Sequence, residues 1–150
     1  MLKKTKTNNE KKATQRSCKT KTPKRITWCS RDLVHSPLPI GLCTSEAEFQ
    51  KEIRRLGSNN PPNWLEENAQ AQVHFFENEN KQTVMIVCVQ PEKNQAILNA
   101  TLVHESVHVW QEIKEYIGEF NPSREFEAYS IESIYSALSR AYRKQVTSSQ

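Results

Sequence analysis

No hydrophobic run in these 150 residues approaches the roughly 20 that a membrane-spanning helix needs, so no membrane insertion is expected. Met1-Leu2 leads straight into lysines, which leaves no apolar segment for a secretory signal. The four cysteines, Cys18, Cys29, Cys43 and Cys88, include no C-x-x-C pair, which fits a cytoplasmic chain with reduced thiols. Internal repeats are also lacking. A chain of this length can bury one core without extra staples, so a single folded domain with one site is the expectation.

What is present is unevenly spread. Apolar residues make up 36% and charged residues 25%, ordinary for a globular protein, yet the mean hydropathy is −0.76. The excess polarity sits in residues 1–25, where ten Lys/Arg face one acid, Glu10, for a net of +9. The rest of the chain has eleven basic and sixteen acidic residues, a net of −5. The overall pI of 8.9 therefore describes a basic tail on a mildly acidic body. The tail has too few apolar residues to fold alone and is expected to be disordered. Its charge can bind nucleic-acid backbones with steep salt dependence, but no aromatic precedes Trp28 to stack on bases. Nucleic-acid contact is expected as an accessory role.

The organisation expected is a tail over 1–25, one domain over 26–143 and a frayed Ser/Gln-rich end over 144–150. Ile26 to Cys43 mixes Trp28, Pro37, Pro39 and Gly41 and reads as an ordered, irregular wrap. Thr44 or Ser45 can cap a helix to about Leu56, with Glu48 three residues after Ser45 and with Phe49, Ile53 and Leu56 at helical spacing. Ala71 to Glu77 and Thr83 to Gln90 read as two strands of an antiparallel hairpin around the turn Asn78–Lys81. Cys88, in the apolar second strand, reads as a buried small hydrophobe. Asn94 to Ile117 is helical, stopped by Gly118. Asn121-Pro122 can open a last helix to about Arg143.

The middle of the long helix carries His104-Glu105-Ser106-Val107-His108, an H-E-x-x-H. Positions four apart on an α-helix lie ~40° apart around the axis and ~6 Å along it, so both imidazoles can meet one ion. Zinc accepts neutral imidazole, and a catalytic site combines three protein ligands with a water. Glu105 projects to the neighbouring side, where it can take a proton from that water. Composition alone gives about 0.01 such matches per chain, which is rarer than accident but not decisive. The setting adds weight. Leu98, Leu102, Val109 and Ile113 form an apolar stripe with Glu105 in line, whereas two histidines on a solvated face would have polar neighbours. A carboxylate on a buried face is expensive unless it has a partner or a task.

The third ligand must come from elsewhere, and the last helix offers Glu125, Glu127 and Glu132. Glu127 starts the stripe Glu127, Ile131, Ile134, Leu138, Ala141 and faces the core with it. Glu125 and Glu132 lie roughly 140–160° away and read as solvated. Glu125 also suits the helix N-terminus electrostatically. Tyr129 and Tyr135 can stabilise an oxyanion, although helix packing explains each more simply. His35 and His74 have no ligand spacing to the motif, and Trp64 and Trp110 read as packing anchors.

His104 to His108 followed by Glu127, in the run Glu125-Phe126-Glu127-Ala128-Tyr129, resembles the gluzincin branch of zinc metallopeptidases. The Glu-Ala pair after a short connection is similar to minimal metallopeptidase domains of phage and prophage proteins and of the ImmA/IrrE group. The stretch from Leu33-Val34-His35 through Gly41-Leu42-Cys43 also looks like small prophage proteins of this type. The resemblance covers roughly residues 70–143. It implies an α+β, zincin-like fold, with a small antiparallel hairpin or sheet packed on the H-E-x-x-H helix and on a C-terminal ligand-bearing helix. It also implies Zn2+ held by His104, His108 and Glu127, Glu105 as catalytic base, a peptide or protein substrate, and a strand bordering the cleft that binds extended substrate. No residue matches the extra transition-state histidine of larger gluzincins.

Three functions are in competition. The first is hydrolysis of a peptide bond. The second is a metal-stabilised interaction module, or a degenerate protease fold, in which a closed sphere of four protein ligands would hold the zinc. The third assigns the function to nucleic-acid binding by the tail.

Overall fold

The structure, a computed structural model, describes residues 25–29, 36–58, 60–77 and 82–147. Residues 1–24 of the basic tail, His35 and the turn at 78–81 lie outside them. The described chain is an α+β domain with a four-stranded mixed sheet and three helices. In chain order these are β1 (Thr27–Trp28), β2 (Ile40–Cys43), α1 (Glu46–Arg55), β3 (Ala71–Glu77), β4 (Thr83–Val89), α2 (Gln95–Tyr116) and α3 (Arg124–Thr147). No helix among the described residues is long and apolar enough to cross a membrane.

The run Val84-Met85-Ile86-Val87-Cys88-Val89 does not alternate because both of its faces are covered. Met85, Val87 and Val89 join Ile40 and Leu42 against α2 and α3. Ile86 and Cys88 join Cys43, Phe49 and Ile53 on the α1 side. The strand order is β1-β2-β4-β3. As expected, β3 and β4 pair antiparallel, from Ala71↔Val89 to Glu77↔Thr83. The region read as an irregular wrap contributes more than expected, because β2 pairs parallel with β4 and antiparallel with β1. The sheet is therefore mixed rather than a lone hairpin. Ile40-Gly41-Leu42-Cys43 is buried throughout, and four apolar residues among prolines show no period from which a strand could be read. Cys43 and Cys88 are partners in this register, with Sγ atoms 3.4 Å apart. Burial pushes the Cys88 thiol far up, consistent with a small core residue rather than a nucleophile.

Helix ends follow local chemistry. Ser45 caps α1 by accepting from Glu48 N, while Glu48 reaches back to Thr44 N. Asn94 caps α2 through Ala96 N and Ile97 N. At the other end of α2, Gly118 adopts φ +71°, and Gly118 N and Glu119 N bond the carbonyls of Glu115 and Lys114. This left-handed stop needs a residue without a Cβ penalty. The last helix differs from expectation at both ends. Ser123, rather than Asn121, caps it by accepting from Phe126 N, which leaves Pro122 just before the cap. It also runs past Arg143 to Thr147, since Ala141, Tyr142 and Gln145 are buried and hold its end.

Candidate metal and catalytic site

α2 leaves β4 at the end of the sheet where Val89 pairs with Ala71, and its early turns pass beside the start of β3. Leu98, Leu102, Val109 and Ile113 pack into the core as their spacing requires. His104 and His108 are left exposed on the far side.

The two imidazoles meet. Their Nε2 atoms are 3.1 Å apart, with ring centroids 4.7 Å apart and planes at 81°. Two nitrogens on one tetrahedral zinc, each about 2.05 Å from it, lie roughly 3.3 Å apart. The pair is therefore within a few tenths of an ångström of a ligand spacing. Gln111 fixes the rest. Its Oε1 lies 3.1 Å from His108 Nδ1, and an amide oxygen can only accept. A proton on Nδ1 satisfies this contact and leaves the lone pair on Nε2, facing His104, whose own Nε2 is within hydrogen-bond distance. That is the tautomer a metal ligand at Nε2 needs. Sequence reasoning passed over Gln111, although its place three residues after His108 on one helical face was readable.

Glu105 is 5% exposed and has no hydrogen-bond partner among the described residues. Burial raises its carboxyl above the ordinary carboxylate range, while His104 and His108 pull it back. With His104 it borders a cavity of about 360 Å³, also lined by Gln70, Ala71, Ala100 and Thr101. A buried carboxylate without a partner, opening on a cavity beside two imidazoles, is arranged to accept a proton. The four other lining residues were not foreseen, because contact between α2 and the start of β3 is a tertiary property.

Glu127 is half-buried, as its stripe demands, but its carboxylate turns elsewhere. Glu127 Oε1 accepts from Trp110 Nε1 at 3.0 Å. Trp110 is 1% exposed, and a buried indole N–H needs an acceptor. At ~100° per residue Trp110 lies about 200° around α2 from His108, so this bond draws Glu127 toward a different side of the helix from the imidazoles. Among the described residues no three His, Cys, Asp or Glu side chains converge on a common metal position. The half-burial of Glu127 thus has an explanation that needs no cation. Its Oε2 is not engaged by Trp110, and ligating carboxylates are themselves commonly held by an outer hydrogen bond.

The remaining groups resolve simply. Glu125 and Glu132 are exposed. Tyr129 is 62% exposed, and Tyr135 packs against the main core. Trp110 is a packing anchor, edge-on to Phe126 at 5.5 Å, and Trp64 packs against the cluster on the α1 side. His74 belongs to that side too, its ring tilted 37° against Phe49 at 4.7 Å, with Nε2 2.9 Å from the Trp64 carbonyl. It is remote in role from His104 and His108.

In comparisons with known proteins, no family model, curated protein or solved structure matches the chain.

Proposed function

We propose that the chain is a zinc-dependent metallopeptidase with a zincin-like arrangement, in which His104 and His108 hold the metal, Glu127 completes the protein ligands and Glu105 is the general base. The observation that carries this reading is the pair of Nε2 atoms 3.1 Å apart, with Gln111 Oε1 placed 3.1 Å from His108 Nδ1, where it can accept that nitrogen's proton. Zinc, when bound, supplies the Lewis acidity that polarises a peptide carbonyl and brings the pKa of water toward about 7. Glu105 takes the proton of the attacking water and passes it to the leaving amine. Substrate placement has its own support. Among the described residues β3 is an edge strand, paired with β4 alone, so its outer backbone groups are available to an extended peptide. Ile97, on the helical line 97, 101, 104, 108, is 48% exposed, which provides apolar grip on the same face of α2 as the histidines.

A second reading rests on the Trp110–Glu127 bond, which gives Glu127 a purely structural task. The chain is then a degenerate protease-fold or metal-stabilised interaction module. Zinc analysis separates the two. The parent should hold about one zinc per chain, Glu127→Ala sharply less, and Glu105→Gln as much as the parent but with peptide hydrolysis lost. Equal zinc in parent and Glu127→Ala would remove the three-ligand site. Undiminished hydrolysis by Glu105→Gln would remove the assigned base.

A further inference from the structure

α2 is apolar on more than its packed side. Between Lys93 and Glu112 the chain carries one charged side chain, Glu105, and that one is buried. The outward positions of the helix include Ala96, Ile97, Ala100 and Val103, all exposed. A helix with one covered side normally presents charge on the other, and a helix that is apolar all round is normally covered all round.

At ~100° per residue, Ile97, His104, His108 and Glu115 fall within about 40° of one another along the outside of α2, with Ala100 and Glu112 flanking that line. The two ends of the line differ in charge. Lys93 and the N-terminal turn, which holds no acid of its own, lie at one end. Glu112 and Glu115, both exposed, lie at the other. His104 and His108 sit midway between Ile97 and Glu115. Such a line complements itself when reversed, because the positive N-terminal end then meets the two carboxylates.

The geometry of the imidazoles calls for the same partner. Their Nε2 atoms, 3.1 Å apart, suit two corners of a zinc tetrahedron. Among the described residues no group of three His, Cys, Asp or Glu side chains converges on a metal position, and Glu127 Oε1 is engaged by Trp110. A twofold axis through the metal brings two more corners from the same two residues of another copy.

We propose that a second copy of the chain docks antiparallel on this face of α2, so that one zinc is held by His104 and His108 of both copies. This pairing rests on the reading of His104 and His108 as zinc ligands and adds a regulated state to it. When zinc is scarce, four imidazoles close the coordination sphere and leave no place for water, which makes the site structural and catalytically silent. When zinc is plentiful, each chain fills its own site with Glu127 and the copies part. In the pair, Glu115 and Glu112 of each copy lie opposite Ile97 and Ala100 of the other, next to its Lys93. A parallel pair would set these carboxylates against each other. One helix on one helix buries less than the ~1,200 Å² of a standard interface, so the pair depends on the metal.

The test titrates zinc chloride into the metal-free full chain and follows molecular mass by light scattering, with zinc affinity read by competition with a fluorescent chelator. The mass should rise from 17.4 kDa toward twice that value near half an equivalent of zinc and fall again beyond one equivalent. Glu127→Ala should form the same pair at half an equivalent, because Glu127 is not a ligand in it. Glu112→Lys with Glu115→Lys should weaken pairing about tenfold, and adding Lys93→Glu should recover it, since the exchanged ends still match. Zinc binding with the mass of one chain at every ratio would overturn the proposal and leave the metal site standing. No zinc binding at any ratio would remove the metal site and the proposal together. Pairing that survives His104→Ala with His108→Ala, or a charge exchange that fails to recover pairing, would also overturn it. All of these positions except Glu127 are exposed, so their variants should melt like the parent.

Discussion

The hydrogen bond from His108 to Gln111 ought to be worth measurable zinc affinity. Gln111→Ala removes the only acceptor that holds the His108 proton on Nδ1 among the described residues, at 3.1 Å in the present arrangement. Without it the ring can rotate and its proton can move to Nε2, which costs the lone pair now aimed across 3.1 Å at His104 Nε2. Outer partners of this kind contribute about 10–100-fold in metal affinity, or about 1.4–2.7 kcal/mol. Gln111 and His108 are both exposed, so water can take over part of the acceptor role, and a loss near tenfold is expected. The assay is competition for zinc between the metal-free protein and a fluorescent chelator near neutral pH. Gln111→Glu supplies the necessary contrast, because a carboxylate at the same place accepts the same proton with a charge-assisted bond and should bind zinc at least as tightly as the parent. Thermal stability of the metal-free variants should be unchanged. If the alanine variant binds within about twofold of the parent, or if the glutamate variant is as weak as alanine, the proposed support of His108 is wrong.

Two further predictions concern the fold that positions the site. At Gly41 in β2, an added Cβ would come within 2.6 Å of Ile26 Cδ1 and 3.3 Å of the Trp28 ring. Ile26 is itself buried and cannot simply swing away, so Gly41→Ala should cost about 1–3 kcal/mol and lower Tm by several degrees; a loss under about 1 °C would contradict the packing. Burial lowers the pKa of His74, with the Trp64 carbonyl and Glu66 opposing, so the folded chain keeps it neutral where the unfolded chain protonates near 6.5. Its contribution to stability is therefore present above that pH and lost as the pH falls below it. Melts across pH ~7.5 to ~5 should show this fall in the parent and a flatter profile in His74→Phe, and identical profiles would refute it.

The parts of the molecule that a linear reading reaches are those whose cause is local. α1 and α2 begin at Ser45 and Asn94 because those side chains cap the next turn, and α2 ends where Gly118 can take φ +71°. The burial of Glu105 follows from a 3.6-residue period alone. β1 and β2 were out of reach for the opposite reason. Cys43 meets Cys88 across 45 residues, and nothing within Ile40–Cys43 distinguishes a buried strand from an apolar stretch of loop. The joining of α3 to Arg25 by Gln145 is equally non-local.

Glu127 marks the boundary between the two kinds of information. Helical phase correctly turns it toward α2, because phase depends only on its own helix. Which atom of α2 it meets depends on how the two helices are rotated about the Gly118–Ser123 connection, and a rotation exchanges the imidazole side for the indole side. The structure selects the indole, and Trp110 gives it reason to do so, since leaving a buried N–H without an acceptor costs about 1–3 kcal/mol. A third ligand at Glu127 must therefore share its carboxylate, Oε1 with Trp110 and Oε2 with the metal. If that sharing is real, metal affinity and the packing of α2 on α3 are coupled through one side chain, and zinc should stabilise the fold by more than a surface pair of histidines could.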